Sequence, residues 1–167
     1  MPDIILDSNV LADFLAQFFN EAERGQRNFR SRDRITDKCV FHINKIIASY
    51  NISGDLSSGL VIASSLAFVE IVRKWEVIVK KRFNIIQFAA FIEQPPEWFF
   101  IASIDEDLID YILMTPTDIA LPNGEIKPIE WTDAVHVSTV ISRGNSCLIA
   151  TTDQRIEQIN ILKNRII

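Results

Sequence analysis

Four carboxylates stand out by where they fall in the chain: Asp7, Glu70, Asp133 and Asp153. Asp7 ends the apolar run Ile4-Ile5-Leu6, and Asp153 lies just behind Cys147-Leu148-Ile149-Ala150. Both runs read as short buried strands of a parallel sheet. Asp133 falls in the first turn of a helix that starts near Thr132. Glu70 falls in the second turn of the helix after a strand Leu60 to Ala63. In open α/β sheets, ligands bind outside the carboxyl ends of the strands, so these acids are expected at one edge. Acids gathered there repel one another and call for counter-charge. Hard divalent cations such as Mg²⁺ or Mn²⁺ prefer oxygen ligands. Such ions activate water and stabilise in-line displacement at phosphorus.

Each acid alone has an ordinary structural role. Asp7 and Asp153 can cap helices, Asp133 can sit against a helix dipole, and Glu70 can be a solvated helix acid. The argument for one site rests on all four reaching one edge. Glu70 is two residues beyond the apolar Phe68, roughly 200° around the helix, and so points away from that residue's side.

The elements that position these acids follow from periodicity. A helix after Asp7 carries Leu11, Phe14, Leu15, Phe18 and Phe19 at helical spacing, with Ser8 or Asn9 as its cap. A second helix is expected over about Thr36 to Tyr50, with Cys39, Ile43, Ile46 and Ile47 on one face. After the strand Leu60 to Ala63, Phe68, Ile71, Val72, Trp75 and Val79 form a core-facing stripe. Residues 83 to 94 read as helix, ended by Pro95-Pro96, and Trp98 to Ile101 as a third strand. Asp105-Glu106-Asp107 opens a helix through Leu113. Residues 115 to 130 form a loop or hairpin, Thr132 to Ser142 a helix, and a short helix and an apolar tail close the chain. This alternation predicts an α/β fold, a three-layer α/β/α sandwich with a mostly parallel central sheet. One domain over 1–167 is expected, with an extended helical segment at about 20–58.

The motifs around the acids resemble those of the PIN-domain family, particularly the VapC-like toxin ribonucleases. Ile4-Ile5-Leu6-Asp7-Ser8-Asn9-Val10-Leu11 is similar to the family's opening strand and Asp-Ser/Thr-Asn/Ser signature. Ser65-Leu66-Ala67-Phe68-Val69-Glu70-Ile71 resembles its Ser-to-Glu helix start. Trp131-Thr132-Asp133-Ala134 resembles its third acidic position, and Leu148-Ile149-Ala150-Thr151-Thr152-Asp153 its strand ending in Thr-x-Asp. The resemblance spans nearly the whole chain. It implies a single PIN-like nuclease domain in which Asp7, Glu70, Asp133 and Asp153 hold one or two Mg²⁺ or Mn²⁺ ions. It implies that Asn9 and Thr151 support the cluster by hydrogen bonding, and that RNA is hydrolysed by metal-activated water. It further implies a toxin role beside an antitoxin protein, and a homodimer. Two departures stand out. Phe19 to Ser58 is longer than a compact toxin needs and offers a lid, a substrate arm or a partner surface. Gln154-Arg155-Ile156 follows the last acid, where the family often has an aromatic residue.

Candidate RNA contacts are Arg24, Arg27 and Arg30, in a stretch where basic and acidic residues alternate, and Arg73 and Lys74, one turn from Glu70. Each has the alternative of an ordinary solvated face. Glu130 is a candidate extra ligand or a plain helix-entry acid. His136, one turn after Asp133, reads as a surface or supporting histidine rather than a catalytic one.

Composition sets the bounds. The 167 residues carry a formal charge of −5, 48% hydrophobic residues and 23% charged residues, a globular balance without the overall basicity of a nucleic-acid coat. Cys39 and Cys147 match no zinc spacing and suit a reduced, cytoplasmic protein. The first residues lack a basic n-region and are not expected to act as a signal peptide. Leu56 to Val69 is too short and too rich in Ser and Gly to span a bilayer. A haloacid-dehalogenase-like phosphatase needs an acid at the position of Asn9, and a dinucleotide enzyme needs a glycine-rich loop that residues 7–20 lack. The remaining alternative is a non-catalytic PIN-like binding module for RNA or protein.

Overall fold

The computed structural model describes residues 1–24, 29–31, 34–79 and 83–167. Strand β1 (Ile4–Leu6) is buried at every position, and helix α1 (Ser8–Arg24) follows after one residue. That residue, Asp7, is itself the cap: its Oδ1 accepts from the Val10 N–H at 2.8 Å. Neither Ser8 nor Asn9 takes the capping role that the sequence suggests. Helix α2 (Asp37–Ser53) is capped by the Thr36 hydroxyl and ends where Gly54, at φ 65°, donates to the Tyr50 carbonyl.

The remaining elements are β2 (Val61–Ser64), α3 (Ser65–Val79), α4 (Ile85–Glu93), β3 (Phe99–Ala102), α5 (Glu106–Met114), β4 (Asp118–Ala120), β5 (Ile126–Pro128), α6 (Trp131–Ser142), β6 (Leu148–Ala150) and α7 (Gln154–Glu157). The loop-or-hairpin expectation over 115–130 resolves as the antiparallel pair β4–β5. On α3, Phe68, Ile71 and Trp75 are buried as the stripe predicts. Val72 is 48% exposed, and Ala67 takes the inward position beside Phe68. Helix α3 packs chiefly against α1.

The central sheet is parallel and four-stranded, in the order β3-β2-β1-β6. Helices flank it. Alternate residues of each strand enter opposite cores, as the period of two requires. Ile4, Leu6, Val61 and Ala63 join α1, α2, α3 and α4 in one core. Ile5, Ile62 and Ile149 join Val137 and Val140 of α6 and Ile156 of α7 in the other. The apolar tail closes the β6 edge: Ile149 N–H donates to the Arg165 carbonyl and Ile167 N–H to the Ile149 carbonyl.

The first core is aromatic. Phe14 stacks on Phe29 at 4.7 Å and on Phe99 at 5.5 Å, with Trp98 edge-on at 6.3 Å. Deleting a ring of this kind costs about 3–5 kcal/mol. That anchoring fixes α1, and with it the Asp7–Ser8 corner. It also ties down the described part of the long 20–58 segment. Phe29 is buried and Asn44 brackets it, donating to its carbonyl and accepting from its N–H, both at 3.1 Å. Gln17 does the same for Arg30 at 2.9 Å. Ile35 and the inner face of α2 complete the packing. Phe29, Ile35 and the inner face of α2 thus belong to the core, while the outer face of α2 is exposed.

Gly59 is required by geometry. It sits at φ 92°, and a Cβ there would meet the Pro2 carbonyl oxygen at 2.7 Å. Gly59→Ala is expected to cost about 2 kcal/mol, since this backbone region is essentially closed to L side chains. Urea unfolding measures it, and a midpoint equal to wild type would contradict the assignment.

Candidate active site

The chain runs β1, β2, β3 outward in one direction and then returns to place β6 on the other side of β1. This reversal opens a crevice at the carboxyl ends of β1 and β6, where ligands of such sheets bind. Asp7 follows β1 directly, and Asp153 follows β6 after Thr151 and Thr152. Helix α3 brings in Glu70 and helix α6 brings in Asp133. A small cavity of about 150 Å³ at this point is lined by all four acids, together with Ser8, Asn9, Lys74, Glu130, Thr132, His136 and Arg155. A larger groove of about 820 Å³, bounded by Phe100, Tyr111 and Arg143, contains none of the four.

Asp7 is 4% exposed. Its Oδ1 caps α1 and its Oδ2 accepts from the Thr152 N–H at 3.4 Å, so it links the ends of both strands. Burial pushes its pKa up, against the hydrogen bond from the Thr151 hydroxyl and that from the Val10 N–H. Thr151 Oγ1 also accepts from the Asp153 N–H at 3.0 Å. Thr151 thus hydrogen-bonds at both Asp7 and Asp153. Asn9 lines the cavity but is exposed, and no hydrogen bond joins it to the acids among the described residues.

Glu70 is held from two sides. The Ser8 hydroxyl donates to its Oε2, and His136 Nε2 lies 3.9 Å from the same oxygen. Contact with His136, then with Ser8, holds its carboxyl down at about 2 despite partial burial. Lys74, one turn along, approaches Oε1 at 3.5 Å. His136 is not a surface residue. It is 1% exposed, with Nε2 3.2 Å from Ser8 Oγ and Nδ1 3.3 Å from Ser64 Oγ. It touches Ser8 and Ser64 and faces Glu70 from inside the protein. The uncharged run from Ala134 to Val140 marks this helix as internal, but which groups His136 meets there depends on packing.

Asp133 and Asp153 meet over Arg155. Nη2 of Arg155 lies 2.5 Å from Asp153 Oδ2 and 2.8 Å from Asp133 Oδ2, and Nη1 lies 3.5 Å from Glu130 Oε1. Asp133 Oδ2 is buried and touches the guanidinium as a charge contact without a hydrogen bond. Burial raises the Asp133 pKa to about 6, with Arg155 pulling the other way and Asp153 adding repulsion. Burial also pushes Asp153 upward, but its hydrogen bonds from Arg155 outweigh that and leave it lowered. The counter-charge that the sequence argument assigned to cations is supplied here by Arg155 and Lys74. In the sequence, Arg155 stands out only as part of the departure after the last acid. Its pairing with Asp133 joins residues distant in the chain and has no local signature.

The donor set suits a hard divalent cation: carboxylate oxygens, with a buried Asp133 oxygen that no hydrogen bond satisfies. As the side chains stand, no three acid, His or Cys groups among the described residues converge closely enough to hold one ion. Glu130 lines the cavity with a side chain 63% exposed and forms no cap bond to α6. Of the other basic candidates, Arg73 and Arg30 do not line the cavity. Arg73 is exposed on α3 and Arg30 is exposed beyond α1. Arg27 and the Arg24 side chain lie outside the described residues. No helix among the described residues is long and apolar enough to cross a membrane. Comparison with protein-family models, curated proteins and solved structures finds no match to this chain.

Proposed function

We propose that this protein is a metal-dependent endoribonuclease of PIN-like type that hydrolyses RNA phosphodiester bonds, with Asp7, Glu70, Asp133 and Asp153 holding Mg²⁺ or Mn²⁺. One observation carries the reading: four acids from four separate elements line a single cavity at the β1–β6 switch point. Two of them, Asp7 and Asp133, keep carboxylates where burial opposes ionisation. Such placement costs stability and is characteristic of functional sites.

When bound, the metal supplies an activated water and charge stabilisation at the phosphorus under attack. The chain's own groups do the rest. A volume of about 150 Å³ holds ions and a few waters but not a nucleotide, so the RNA backbone lies across the cavity mouth. Lys74 stands at the rim, where its ammonium can meet a phosphate oxygen. Ser8 and His136 fix the orientation of Glu70, which stays ionised through the physiological range. Asp7 is held by α1 and by the Thr151–Thr152 turn, so its position does not depend on a ligand.

The test is cleavage of mixed RNA by purified protein, followed through EDTA treatment and Mn²⁺ restoration. Activity that EDTA abolishes and Mn²⁺ restores is expected. Activity untouched by EDTA would contradict the metal assignment. A second reading, a non-catalytic PIN-like module, is favoured by the ion pairs that Arg155 already makes with Asp133 and Asp153. RNA binding with no cleavage under any metal condition would select it. A toxin role with an antitoxin partner is a further part of the proposal. A short reading frame for a DNA-binding protein immediately upstream supports that role, and its absence points to a stand-alone RNA-processing enzyme.

A further inference from the structure

Arg155 occupies an unusual position for a surface cation. It stands on the short helix α7, and the Asp153 carboxylate Oδ1 accepts from its backbone N–H at 2.8 Å. Its side chain folds back over the same acid, with Nε 3.1 Å from each Asp153 oxygen. From there Nη2 bridges to Asp133 Oδ2. A guanidinium fork matched to a carboxylate in this way makes strong, oriented ion pairs. Contact with Asp153 holds the Arg155 charge firmly in place. The side chain remains 22% exposed, which leaves it a route to solvent.

The oxygens that the guanidinium engages are those a cation would need. Asp133 Oδ2 and Asp153 Oδ2 both face Nη2, and a hard divalent ion approaches such oxygens to about 2.0–2.2 Å. Two positive groups cannot share the same lone pairs at those distances. We infer that Arg155 is an internal counter-ion seated in the cation position between Asp133 and Asp153, and that divalent metal binds by displacing its guanidinium toward solvent. The inference rests on the proposal that these acids are the metal site.

The arrangement has two consequences. With Arg155 seated, buried acids are partly neutralised and the metal-free fold is spared their full repulsion. The same pairing lowers apparent metal affinity, because only the fraction of molecules with the seat open can bind. Arg155 thus sets the metal concentration at which the site fills.

Mn²⁺ alone is the probe, titrated at pH 7.5 into wild type, Arg155→Gln and Arg155→Lys, with free ion followed by electron paramagnetic resonance. Arg155→Gln is expected to bind about tenfold more tightly, as for a seat open in about a tenth of wild-type molecules. Arg155→Lys keeps the charge but loses the fork, and an intermediate affinity is expected. It decides the matter alone if the Gln variant does not fold. Equal or weaker binding by the variants, with clear binding by wild type, overturns the displacement and leaves the metal site standing. Absence of Mn²⁺ binding in all three proteins overturns both.

Discussion

Asp153→Asn and Asp7→Asn are each expected to lower RNA cleavage by about a thousandfold or more, roughly 4 kcal/mol of lost transition-state stabilisation. Both substitutions keep the fold. Asn retains an oxygen that can cap α1 at position 7 and accept from the Arg155 N–H at position 153. What is lost is the second anionic oxygen and the charge: the acceptor for the Thr152 N–H at position 7, the partner of Arg155 at position 153, and at both a ligand for a cation. Glu130→Gln is the matched control. Its side chain is exposed and pairs with Arg155 at 3.5 Å, so cleavage within about threefold of wild type is expected, as for a surface ion pair of small worth. Initial rates on a labelled RNA measure both. Asp variants that cut as fast as wild type would remove these residues from the chemistry.

Asp133→Asn is expected to raise the stability of the metal-free protein at pH 7.5 by about 2 kcal/mol, while abolishing cleavage. Burial lifts the Asp133 pKa from 3.8 to about 6. The folded protein therefore holds that proton more tightly than the unfolded chain. The resulting stability is fully present below the unfolded value near 3.8 and is lost as pH rises through about 6. A shift of this size, with the attraction of Arg155 already included, corresponds to about 3 kcal/mol, and the neutral Asn recovers most of it. Asp7 is shifted in the same direction and Glu70 and Asp153 in the other, so the informative quantity is the difference between wild type and variant across pH. That difference should grow between pH 4 and 7 and then level off. A flat difference, or a variant less stable at pH 7.5, would show that Asp133 is not strained by its burial. Stability given up at acids that serve a function is a common pattern in enzymes.

The parts of this site that the sequence reveals are those fixed locally. Asp7 is legible because an apolar run of three residues ends on it, and Asp153 because it lies shortly beyond the apolar run Leu148 to Ala150 on the neighbouring strand. Strand ends set position along the sheet without knowledge of packing. The β4–β5 hairpin, the Thr36 and Asp105 caps and the Gly54 stop follow from turn and cap chemistry in the same way. The order of strands is not local. It decides that Asp7 and Asp153 share one crevice, and it depends on which helices cover which face. Arg155 and His136 belong to that second kind. Arg155 meets Asp133 across distant parts of the chain, and Ser8 reaches Glu70 because α1 and α3 pack side by side. The cap of α1 was misplaced for a related reason. Asp7 does two jobs at once, and single-residue reasoning assigns one role per side chain.

The central claim is that Asp7, Glu70, Asp133 and Asp153 act together as a cation site. Mn²⁺ binding to wild type beside the double variant Asp7→Asn, Asp153→Asn, both confirmed folded by circular dichroism, tests it most directly. The account predicts saturable binding of one or two ions to wild type and its loss in the double variant. Binding of the same stoichiometry and affinity to both proteins would contradict it.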